Sequence, residues 1–387
     1  MPNYQINNLN LCCGCNACSL ICNKKAIVTN KTNLGFIKNS IDKSICISCG
    51  ACKNVCPIEK KVSNNLSDTI FLYRTNDEKI YCSSSSGGVF DSLSKFIFSF
   101  EKAVCFGVKY DSNMKPIYAC ATSYEDTFSF RGSKYIFASI GKDVYESVKD
   151  YLLKGYYVLF SGNPCVISAI KNYLEIKKIN LDRLYTLDFV CHGVGSPFLW
   201  EKQVAMIEKK AKARLINYEF RYKANNKSHS HHIRATFDNN KQIVDKPYFK
   251  IYQNIYFKNV IMQEACYSCN YANKYRVSDL TMGDNKGYNV LEEDVTDYTN
   301  SSIVIPNDEK GEILLKQLSN TGFIKTIKYE DVIQPHLSLP TQRPVYYSKF
   351  WKDFKRFGLF FVAIKYGSYN PISIFRQRRN GSLIKTK

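Results

Sequence analysis

The sequence predicts a mixed protein of the α+β and α/β classes, in which a small cysteine-rich module precedes an α/β core and a basic helical tail. Three observations predict this arrangement. Two cysteine runs of equal spacing lie before residue 57, strand and helix patterns alternate between residues 103 and 207, and aromatic and basic residues recur at helical spacing after residue 341. We divide the chain accordingly into the module, two parts of one core domain, and the tail: residues 1–66, 67–155, 156–338 and 339–387.

Composition limits the compartment and the partners. The 387 residues carry a formal charge of +20 and sixteen cysteines. The first ten residues have no signal-peptide pattern, and no apolar run is long enough to span a bilayer, so we expect a cytoplasmic protein in a reducing compartment. Positive charge alone does not distinguish between nucleic acid, an anionic membrane surface and an acidic partner.

The two cysteine runs share the spacing C-x2-C-x2-C-x3-C, and Pro57 follows the second run directly. This is the double run of bacterial-type ferredoxins with two [4Fe–4S] clusters, in which the fourth cysteine of each run ligates the other cluster. The expected ligand sets are Cys12, Cys15, Cys18 and Cys56 for one cluster, and Cys46, Cys49, Cys52 and Cys22 for the other. Zinc and disulfides are the alternatives. Zinc sites lack the third cysteine followed by x3-C, and disulfides need an oxidising compartment.

The core contains two segments that read as buried strands, each followed by a motif that can carry chemistry. Tyr156 to Phe160 leads into Asn163-Pro164, where Asn163 can cap a helix and the proline can occupy its first turn. Leu184 to Val190 leads into Cys191-His192-Gly193. Ligands of α/β proteins bind at the carboxyl ends of strands, so we expect the functional residues there.

The later motifs, taken in order, resemble the beta-subunit family of coenzyme F-420-reducing hydrogenases and dehydrogenases. The matching residues, within roughly residues 70–335, are Ser86-Gly87-Gly88, Arg131 to Tyr135, Pro164-Cys165, Cys191-His192-Gly193, Cys266-x2-Cys269-x-Tyr271 and Asp279 to Asp284. The resemblance implies an FAD-binding iron–sulfur oxidoreductase that passes electrons to or from a two-electron acceptor. Archaeal relatives reduce a deazaflavin, and plant relatives reduce chlorophyll-type rings. Bacterial relatives with a fused ferredoxin module often accompany surface-polysaccharide genes.

The resemblance also implies a third [4Fe–4S] cluster in the core. Its ligands would come from three separate segments: Cys165, Cys191, Cys266 and Cys269. The alternative is that Cys165 and Cys191 are small apolar core residues. Three clusters would lower the formal charge to about +14. The other cysteines have no partner spacing, and we interpret them as core or incidental thiols: Cys13, Cys82, Cys105 and Cys120.

A flavin is required by this interpretation, because clusters exchange single electrons whereas most organic acceptors take up two as hydride. The sequence has no G-x-G-x-x-G motif, so a Rossmann site is not expected. The glycine pair can offer backbone N–H groups to a phosphate, or it can form an ordinary helix start. Two basic residues could pair with the pyrophosphate, and an asparagine could bind the ring. The expected FAD contacts are Ser86, Gly87, Gly88, Arg131, Ser133, Lys134 and Asn163.

His192 is the candidate catalytic residue. It can donate a proton to the reduced substrate, or it can support the neighbouring cluster through a hydrogen bond, and both roles stay open. Asp279 and Asp284 flank a short apolar strand and could bind ribose or shape the site. Three further histidines are predicted to lie in a solvated hairpin and not to bind a metal: His229, His231 and His232.

The tail places aromatic residues at helical spacing with basic residues between them: Tyr347, Phe350, Trp351, Phe354, Phe357 and Phe361. Residues 341–387 contain eleven Lys or Arg and one acid, Asp353. Such a helix can lie peripherally on anionic lipid at the inner face of the membrane, or it can dock on the protein's own core. Nucleic acid is not expected, because no recognition fold accompanies the charge.

The sequence therefore predicts an oxidoreductase. Electrons from reduced ferredoxin or another redox protein would pass through the clusters to FAD and leave as hydride to an unidentified acceptor. The bacterial relatives imply a link to surface-polysaccharide biosynthesis. Two alternatives are a non-catalytic electron-transfer subunit that bridges two redox enzymes, and an iron–sulfur-stabilised binding protein without a flavin.

Overall fold

The fold is built on an eight-stranded mixed sheet in the computed structural model, which describes residues 11–60, 69–223, 232–285, 300–332 and 334–379. The strands, in chain order, are β1 Ile27–Lys31, β2 Ile37–Ile41, β3 Thr69–Thr75, β4 Ala103–Tyr110, β5 Pro116–Ala121, β6 Tyr157–Ser161, β7 Leu184–Phe189, β8 Leu215–Tyr222, β9 His232–Phe237, β10 Gln242–Val244, β11 Leu280–Asp284, β12 Ser302–Pro306 and β13 Gly322–Lys328. The helices are α1 Ala17–Ile21, α2 Ala51–Val55, α3 Glu78–Ser83, α4 Val89–Ile97, α5 Lys142–Leu153, α6 Pro164–Ile176, α7 Pro197–Ala211, α8 Lys250–Tyr256, α9 Glu309–Ser319, α10 Tyr347–Lys365 and α11 Pro371–Arg379.

Four parallel strands form the centre of the large sheet, in the order β11, β7, β6 and β4. β12, β3 and β13 extend the sheet beyond β11, and β5 pairs with β4, all in antiparallel fashion. β4 and β6 are buried along most of their length, which explains their nearly continuous apolar sequences. The predicted mixed α/β class is confirmed.

Helices cover both faces of this sheet. Val158 and Phe160 of β6 pack in the apolar cluster that contains α5 and α6, whereas Leu159 packs in the cluster that contains α4 and α9. Successive residues of a strand point to opposite faces, so the two helix pairs lie on opposite sides. The core is therefore a three-layer arrangement of helices, sheet and helices.

The carboxyl ends of β6 and β7 lie side by side, because the two strands are parallel neighbours. β6 leads into α6, which has Pro164 in its first turn as predicted, although the Asn163 side chain does not cap the helix. β7 continues to Val190, whose N–H donates to the Met282 carbonyl at 2.8 Å, and then to Cys191. The sheet thus brings Cys165 and Cys191 to the same edge.

The cysteine-rich module folds as two copies of one local structure around the antiparallel β1–β2 hairpin. α1 and α2 are each five residues long and occupy the same place in the two cysteine runs. Left-handed backbone recurs at equivalent positions, at Gly14 and Ser48 and again at Asn16 and Gly50. The equal spacing of the two runs therefore reflects an equal backbone path around each set of cysteines.

The module packs directly on α6. Ala17, Ile21 and Val55 are buried in the same apolar cluster as Val166 and Ile170 of that helix. Ile21 of α1 and Val55 of α2 thus pack both within the module and against the core. This packing fixes the position of the module relative to the large sheet.

A second, three-stranded sheet in the order β10, β9 and β8 forms another apolar cluster with α7, α8 and α10. Phe350, Val362 and Ala363 of α10 have no exposed surface and lie in this cluster. α10 thus docks on the core through part of its surface. None of the helices in the described part of the chain has the length and hydrophobicity that crossing a bilayer requires.

Candidate iron–sulfur and flavin site

The cysteines of the module form an inner and an outer group. Burial raises the pKa of Cys18 well above its ordinary value, and repulsion from Cys15, Cys12 and Cys56 adds to the shift. Burial likewise raises the pKa of Cys56 to about 12, with further repulsion from Cys15 and Cys12. These interactions bring Cys12, Cys15, Cys18 and Cys56 together, with Cys56 supplied by the other cysteine run.

The outer group contains Cys46, Cys49 and Cys52. Burial raises the pKa of Cys52, and repulsion from Cys46 and Cys49 raises it further. Cys49 is exposed, and Ile47, two residues before it, is 62 % exposed. The outer group therefore lies at the surface of the protein, whereas Cys15 and Cys18 of the inner group are buried.

Four core cysteines from three segments also lie together. Cys165 is in the first turn of α6, Cys191 follows β7, and Cys266 and Cys269 lie in and after the 3-10 helix Glu264–Ser268. Burial raises the pKa of Cys266, and repulsion from Cys191 and Cys269 raises it further. A hydrogen bond from Cys13 lowers the pKa of Cys165, but burial and the three other core thiols raise it overall.

Backbone and amide N–H groups point at the sulfur atoms of the core group. The Gly193 N–H donates to Cys191 Sγ at 3.4 Å, and the Tyr271 N–H donates to Cys269 Sγ at 3.4 Å. Asn163 Nδ2 also donates to Cys191 Sγ at 3.4 Å. Cluster thiolates accept such hydrogen bonds, which adjust their reduction potentials. The residues around the core cysteines thus fit an iron–sulfur cluster.

The module cysteines receive the same kind of hydrogen bond. Gly14 N–H donates to Cys12 Sγ at 3.4 Å, and Ala26 N–H donates to Cys22 Sγ at 3.3 Å. The buried Asn39 donates to Cys18 Sγ at 3.2 Å. The module and the core cysteines therefore share one feature, N–H donors aimed at sulfur, that a set of ordinary core thiols does not need.

Cys13 lies between the inner group and the core group. Its side chain interacts with those of both Cys15 and Cys165 strongly enough to shift their pKa values, and it is 8 % exposed. Sequence reasoning, which interpreted Cys13 as an incidental thiol, missed this position because Cys165 is distant in the chain. By contrast, Cys105 lies in the apolar cluster with α4 and α9, as expected of a core thiol.

Four hydrogen bonds from core side chains hold the backbone of the module beside its cysteines. Tyr145 donates to the Cys15 carbonyl at 2.7 Å, and Gln263 donates to the Cys12 carbonyl at 3.0 Å. On the α2 side the bonds run from Asn172 to the Val55 carbonyl at 3.2 Å and from Tyr271 to the Pro57 carbonyl at 2.7 Å. Gln263 and Tyr271 stand three residues before Cys266 and two residues after Cys269, so this segment connects the module to the core group.

A buried ion pair lies beneath the core cysteines. Arg276 Nη2 is 2.8 Å from Asp188 Oδ2, and the two side chains are 1 % and 0 % exposed. Arg276 also donates to the carbonyls of Tyr271 and Phe189 and to the Thr281 hydroxyl. Its charge favours the thiolates of Cys191 and Cys269, whose pKa values burial otherwise raises. No signal in the sequence alone identified Arg276.

His192 is held in a chain of side chains beside Cys191. Its Nδ1 is 2.6 Å from His336 Nε2, and its Nε2 is 2.8 Å from Asn259 Oδ1. The ring also lies beside Tyr256 and Phe257. Thr341 donates to the His192 carbonyl. This arrangement places two histidine rings in contact next to a predicted cluster ligand and suits a supporting or proton-conducting role.

The glycine pair of the predicted flavin site lies where the backbone is crowded. A Cβ at Gly87 would lie 2.1 Å from the Tyr73 carbonyl oxygen, and Gly88 has a φ of +91°. Ser86 donates to the Ser301 carbonyl at 2.8 Å. Close packing on β3 and β12 is therefore sufficient to explain both glycines, whether or not a phosphate binds there.

Arg131, Ser133 and Lys134 lie near this loop. Arg131 forms an ion pair with the buried Asp91, and the Ser133 N–H donates to Ser85 Oγ at 3.0 Å. Lys134 Nζ donates to the Arg131 carbonyl at 3.0 Å, and burial lowers its pKa to about 7. Both basic side chains thus have protein partners in this structure.

Two further basic residues reach the same loop from β8 and beyond. Lys223 Nζ donates to the carbonyls of Ser86 and Tyr81 at 2.6 and 2.8 Å and lies 3.4 Å from the centre of the Tyr81 ring. Burial lowers the pKa of Lys223 to about 7. Arg221 binds Asp284 with its Nη1 at 2.7 and 2.6 Å from the two carboxylate oxygens. Sequence reasoning found Asp284 but not the two basic residues.

The remaining candidates have structural partners. Asp279 is buried, accepts from the Thr186 N–H at 2.7 Å and has a pKa that burial raises to about 6. His232 was predicted to lie in a solvated hairpin, and this prediction is wrong. His232 is 4 % exposed and its Nδ1 binds the buried Asp245, which also pairs with Lys250. His229 and His231 lie outside the described residues.

A cavity of about 420 Å³ opens beside the inner cysteine group. Its lining includes Cys12, Phe36, Met262 and Tyr347 but none of the predicted FAD contacts. In the parts of the chain that the structure describes, no three His, Cys, Asp or Glu side chains converge as the ligands of one ion would. Each thiolate of a cubane binds a different iron, so cluster ligands stand farther apart than that.

Two parts of the chain match known protein families. Residues 156–332 match a family described as the C terminus of the beta subunit of coenzyme F420 hydrogenase/dehydrogenase, and residues 40–59 match the "4Fe-4S binding domain". The second match contains the outer cysteines and Cys56. No curated protein matches the chain.

One solved structure that matches is of the F420-reducing [NiFe] hydrogenase complex from Methanosarcina barkeri. The match has 14 % sequence identity and a TM-score of 0.44, and it covers 70 % of this chain and 84 % of that one.

Proposed function

Because the chain belongs, over residues 156–332, to the coenzyme F420 hydrogenase/dehydrogenase beta-subunit family and carries a 4Fe-4S binding domain before it, we propose that it is an iron–sulfur flavoprotein oxidoreductase. The two matches make it an iron–sulfur electron-transfer protein of the oxidoreductase type. The proposal adds three clusters, a flavin and a two-electron acceptor. The expected link to surface-polysaccharide biosynthesis stays a prediction.

The position of Cys13 is the observation that carries the proposal. One thiol spans the gap between Cys15 of the inner group and Cys165 of the core group. Electron transfer needs closely spaced centres, and hydrogen bonds from Tyr145 and Gln263 hold the inner group against the core. A ferredoxin module joined only by a flexible linker would not require these contacts.

The three groups also have an order. Cys49 is exposed, Cys15 and Cys18 are buried, and the core group lies beyond Cys13. Electrons from reduced ferredoxin or another redox protein would therefore enter at the outer group and reach the core group last. The exposed Ile45 and Ile47 beside Cys46 offer an apolar surface on which such a donor could dock.

A bound flavin would supply the conversion between single electrons and hydride. We propose that it binds where Ser85–Gly88, Gly132–Ser133 and Arg221–Lys223 meet. Lys223 supports this location, since its half-buried amino group donates to the Ser86 and Tyr81 carbonyls and burial lowers its pKa to about 7. A phosphate nearby would stabilise the protonated form.

Flavin content tests this proposal. Anaerobically purified protein should release about one FAD per chain on denaturation. Lys223→Met should weaken FAD binding at least about tenfold, because it removes a half-buried cation and its hydrogen bond to the Ser86 carbonyl. Lys210→Met is the matched control, since Lys210 also lies over a tyrosine ring, that of Tyr248, but is exposed.

Wild-type protein that never binds FAD stoichiometrically, even after reconstitution, would contradict the proposal and favour the iron–sulfur binding protein. The non-catalytic alternative makes a different prediction. A subunit that only bridges two enzymes should bind flavin yet fail to pass electrons to any soluble acceptor. Reoxidation of the reduced protein by deazaflavin, nicotinamide or sugar-linked acceptors separates these two cases.

A further inference from the structure

The tail leaves an apolar surface uncovered on the side of α10 and α11 that faces away from the core. Its members are exposed by 39 to 68 %: Phe357, Phe360, Ile364, Ile372 and Phe375. Three of them are aromatic. Five large apolar side chains within nineteen residues form a patch of the kind that marks an interaction surface.

α10 already packs on the core through other residues, so the exposed apolar side chains are not needed for its docking. Phe350, Val362 and Ala363 of α10 are fully buried, and Trp351 Nε1 donates to the Val260 carbonyl at 3.0 Å. Gly358, with a φ of +73°, interrupts the helical backbone between Phe357 and Phe360. α10 therefore satisfies its docking contacts with one set of residues and presents a second set outward.

Basic side chains border the exposed surface. Lys355 and Arg356 precede Phe357, and Arg376 and Arg379 are exposed on α11. Ile372, Phe375, Arg376 and Arg379 are spaced at i, i+3, i+4 and i+7, which places them along one face of the helix. Apolar and cationic groups thus occur together on α11.

The single acid of the tail does not offset this charge. Asp353 Oδ2 is 2.7 Å from Lys365 Nζ and accepts a hydrogen bond from the Tyr366 hydroxyl at 2.7 Å. It is therefore already neutralised by Lys365. Arg343 pairs with Glu264 of the core, so nine of the eleven basic residues in residues 341–387 lie outside these two pairs. The exposed apolar and basic side chains are therefore complementary to a partner with an apolar interior and an anionic surface.

We propose that this face of α10 and α11 binds an anionic lipid surface. Aromatic and aliphatic side chains would enter the boundary between headgroups and acyl chains, and lysine and arginine would lie at the anionic headgroups. The occurrence of exposed apolar and cationic side chains together on α11 matches the apolar and anionic layers of such a surface. Binding would hold the protein at the membrane without any spanning segment, and it does not depend on the proposed flavin chemistry.

Vesicle co-sedimentation of the full chain tests the proposal. Binding should be at least about tenfold stronger to vesicles of phosphatidylcholine with about 30 % phosphatidylglycerol than to phosphatidylcholine alone, and should weaken with added salt. Phe360→Ser with Phe375→Ser, and separately Arg376→Glu with Arg379→Glu, should each lower binding at least about tenfold.

Leu153→Ser with Lys154→Glu is the matched control, because Leu153 is 65 % exposed beside an exposed lysine on a different helix. This control should bind like the wild type, and all variants should keep the same iron content. The proposal is overturned if the wild type does not bind anionic vesicles, if the control loses as much binding as the tail variants, or if the tail variants abolish self-association instead of lipid binding.

Discussion

At the scale of single residues, the ion pair of Arg276 and Asp188 is the most constrained polar contact near the core cysteines. Both side chains are almost completely buried, and Arg276 also satisfies two backbone carbonyls and a hydroxyl. A buried pair contributes little net stability over apolar residues, but removal of one partner leaves the other charge buried without compensation. We infer that Arg276 positions the Tyr271 and Phe189 backbone and favours anionic sulfur at Cys191 and Cys269.

Substitution of Arg276 should therefore affect both stability and redox chemistry. Arg276→Gln should lower the free energy of unfolding by about 3 kcal/mol or more, because Asp188 stays buried and unpaired. It should also shift the core cluster to a more negative reduction potential, since a nearby cation favours the more reduced, more negative state. Anaerobic denaturation and a redox titration followed by EPR measure the two effects.

Arg343→Gln is the control for this experiment. Arg343 also pairs with an acid, Glu264, but both side chains are more than 40 % exposed, so its loss should cost no more than about 1 kcal/mol. Equal losses in the two variants would contradict the role assigned to the buried pair. An unchanged potential in Arg276→Gln would restrict that role to stability.

At the scale of elements, α10 shows how one helix serves two surfaces. Phe350 packs with Trp351 and Tyr366 at ring-centre distances of 5.1 Å, and Phe354 contacts Phe198 of α7 at 5.8 Å. The residues after Gly358 turn a new face to the core, through Val362 and Ala363. The sequence left docking on the core and binding to anionic lipid as alternatives for the tail. α10 docks on the core and also carries exposed apolar residues, so the first does not exclude the second.

The two faces of α10 should respond differently to truncation. Phe350→Ala should lower the free energy of unfolding by about 3 to 5 kcal/mol, because it empties a fully buried site. Phe360→Ala is the matched variant on the exposed face and should change stability by less than about 0.5 kcal/mol. Anaerobic denaturation with the same protein preparation measures both. A Phe350→Ala variant as stable as Phe360→Ala would mean that α10 does not dock as described.

Most elements could be predicted from the sequence because their signals are local. The apolar runs at β6 and β7 and Pro164 in the first turn of α6 depend only on neighbouring residues. His232 was mispredicted because its partner Asp245 lies on the far side of a turn. The polar residues around it suggested a solvated loop, whereas the strand β9 turns its side chain inward.

At the scale of the whole molecule, the proposed electron path depends on contacts between segments far apart in sequence. Cys13 meets Cys165, Gln263 donates to the Cys12 carbonyl, and His192 meets His336. Periodicity and spacing cannot reveal such contacts. The cysteine sets could therefore be predicted from the sequence, but the position of Cys13 between them could not. The roles of Arg221, Lys223 and Arg276 were missed for the same reason.

We propose that three [4Fe–4S] clusters form one electron path through this protein. Iron content, together with EPR of the reduced protein, tests this most directly. Three clusters predict about 12 iron atoms per chain in fully reconstituted wild type. Cys269→Ser should fall to about 8 and lose one cluster signal, and reduction of its flavin from ferredoxin should slow sharply. Cys105→Ser, a buried thiol outside the three groups, should keep about 12. A wild-type count near 8 that Cys269→Ser leaves unchanged would contradict the account.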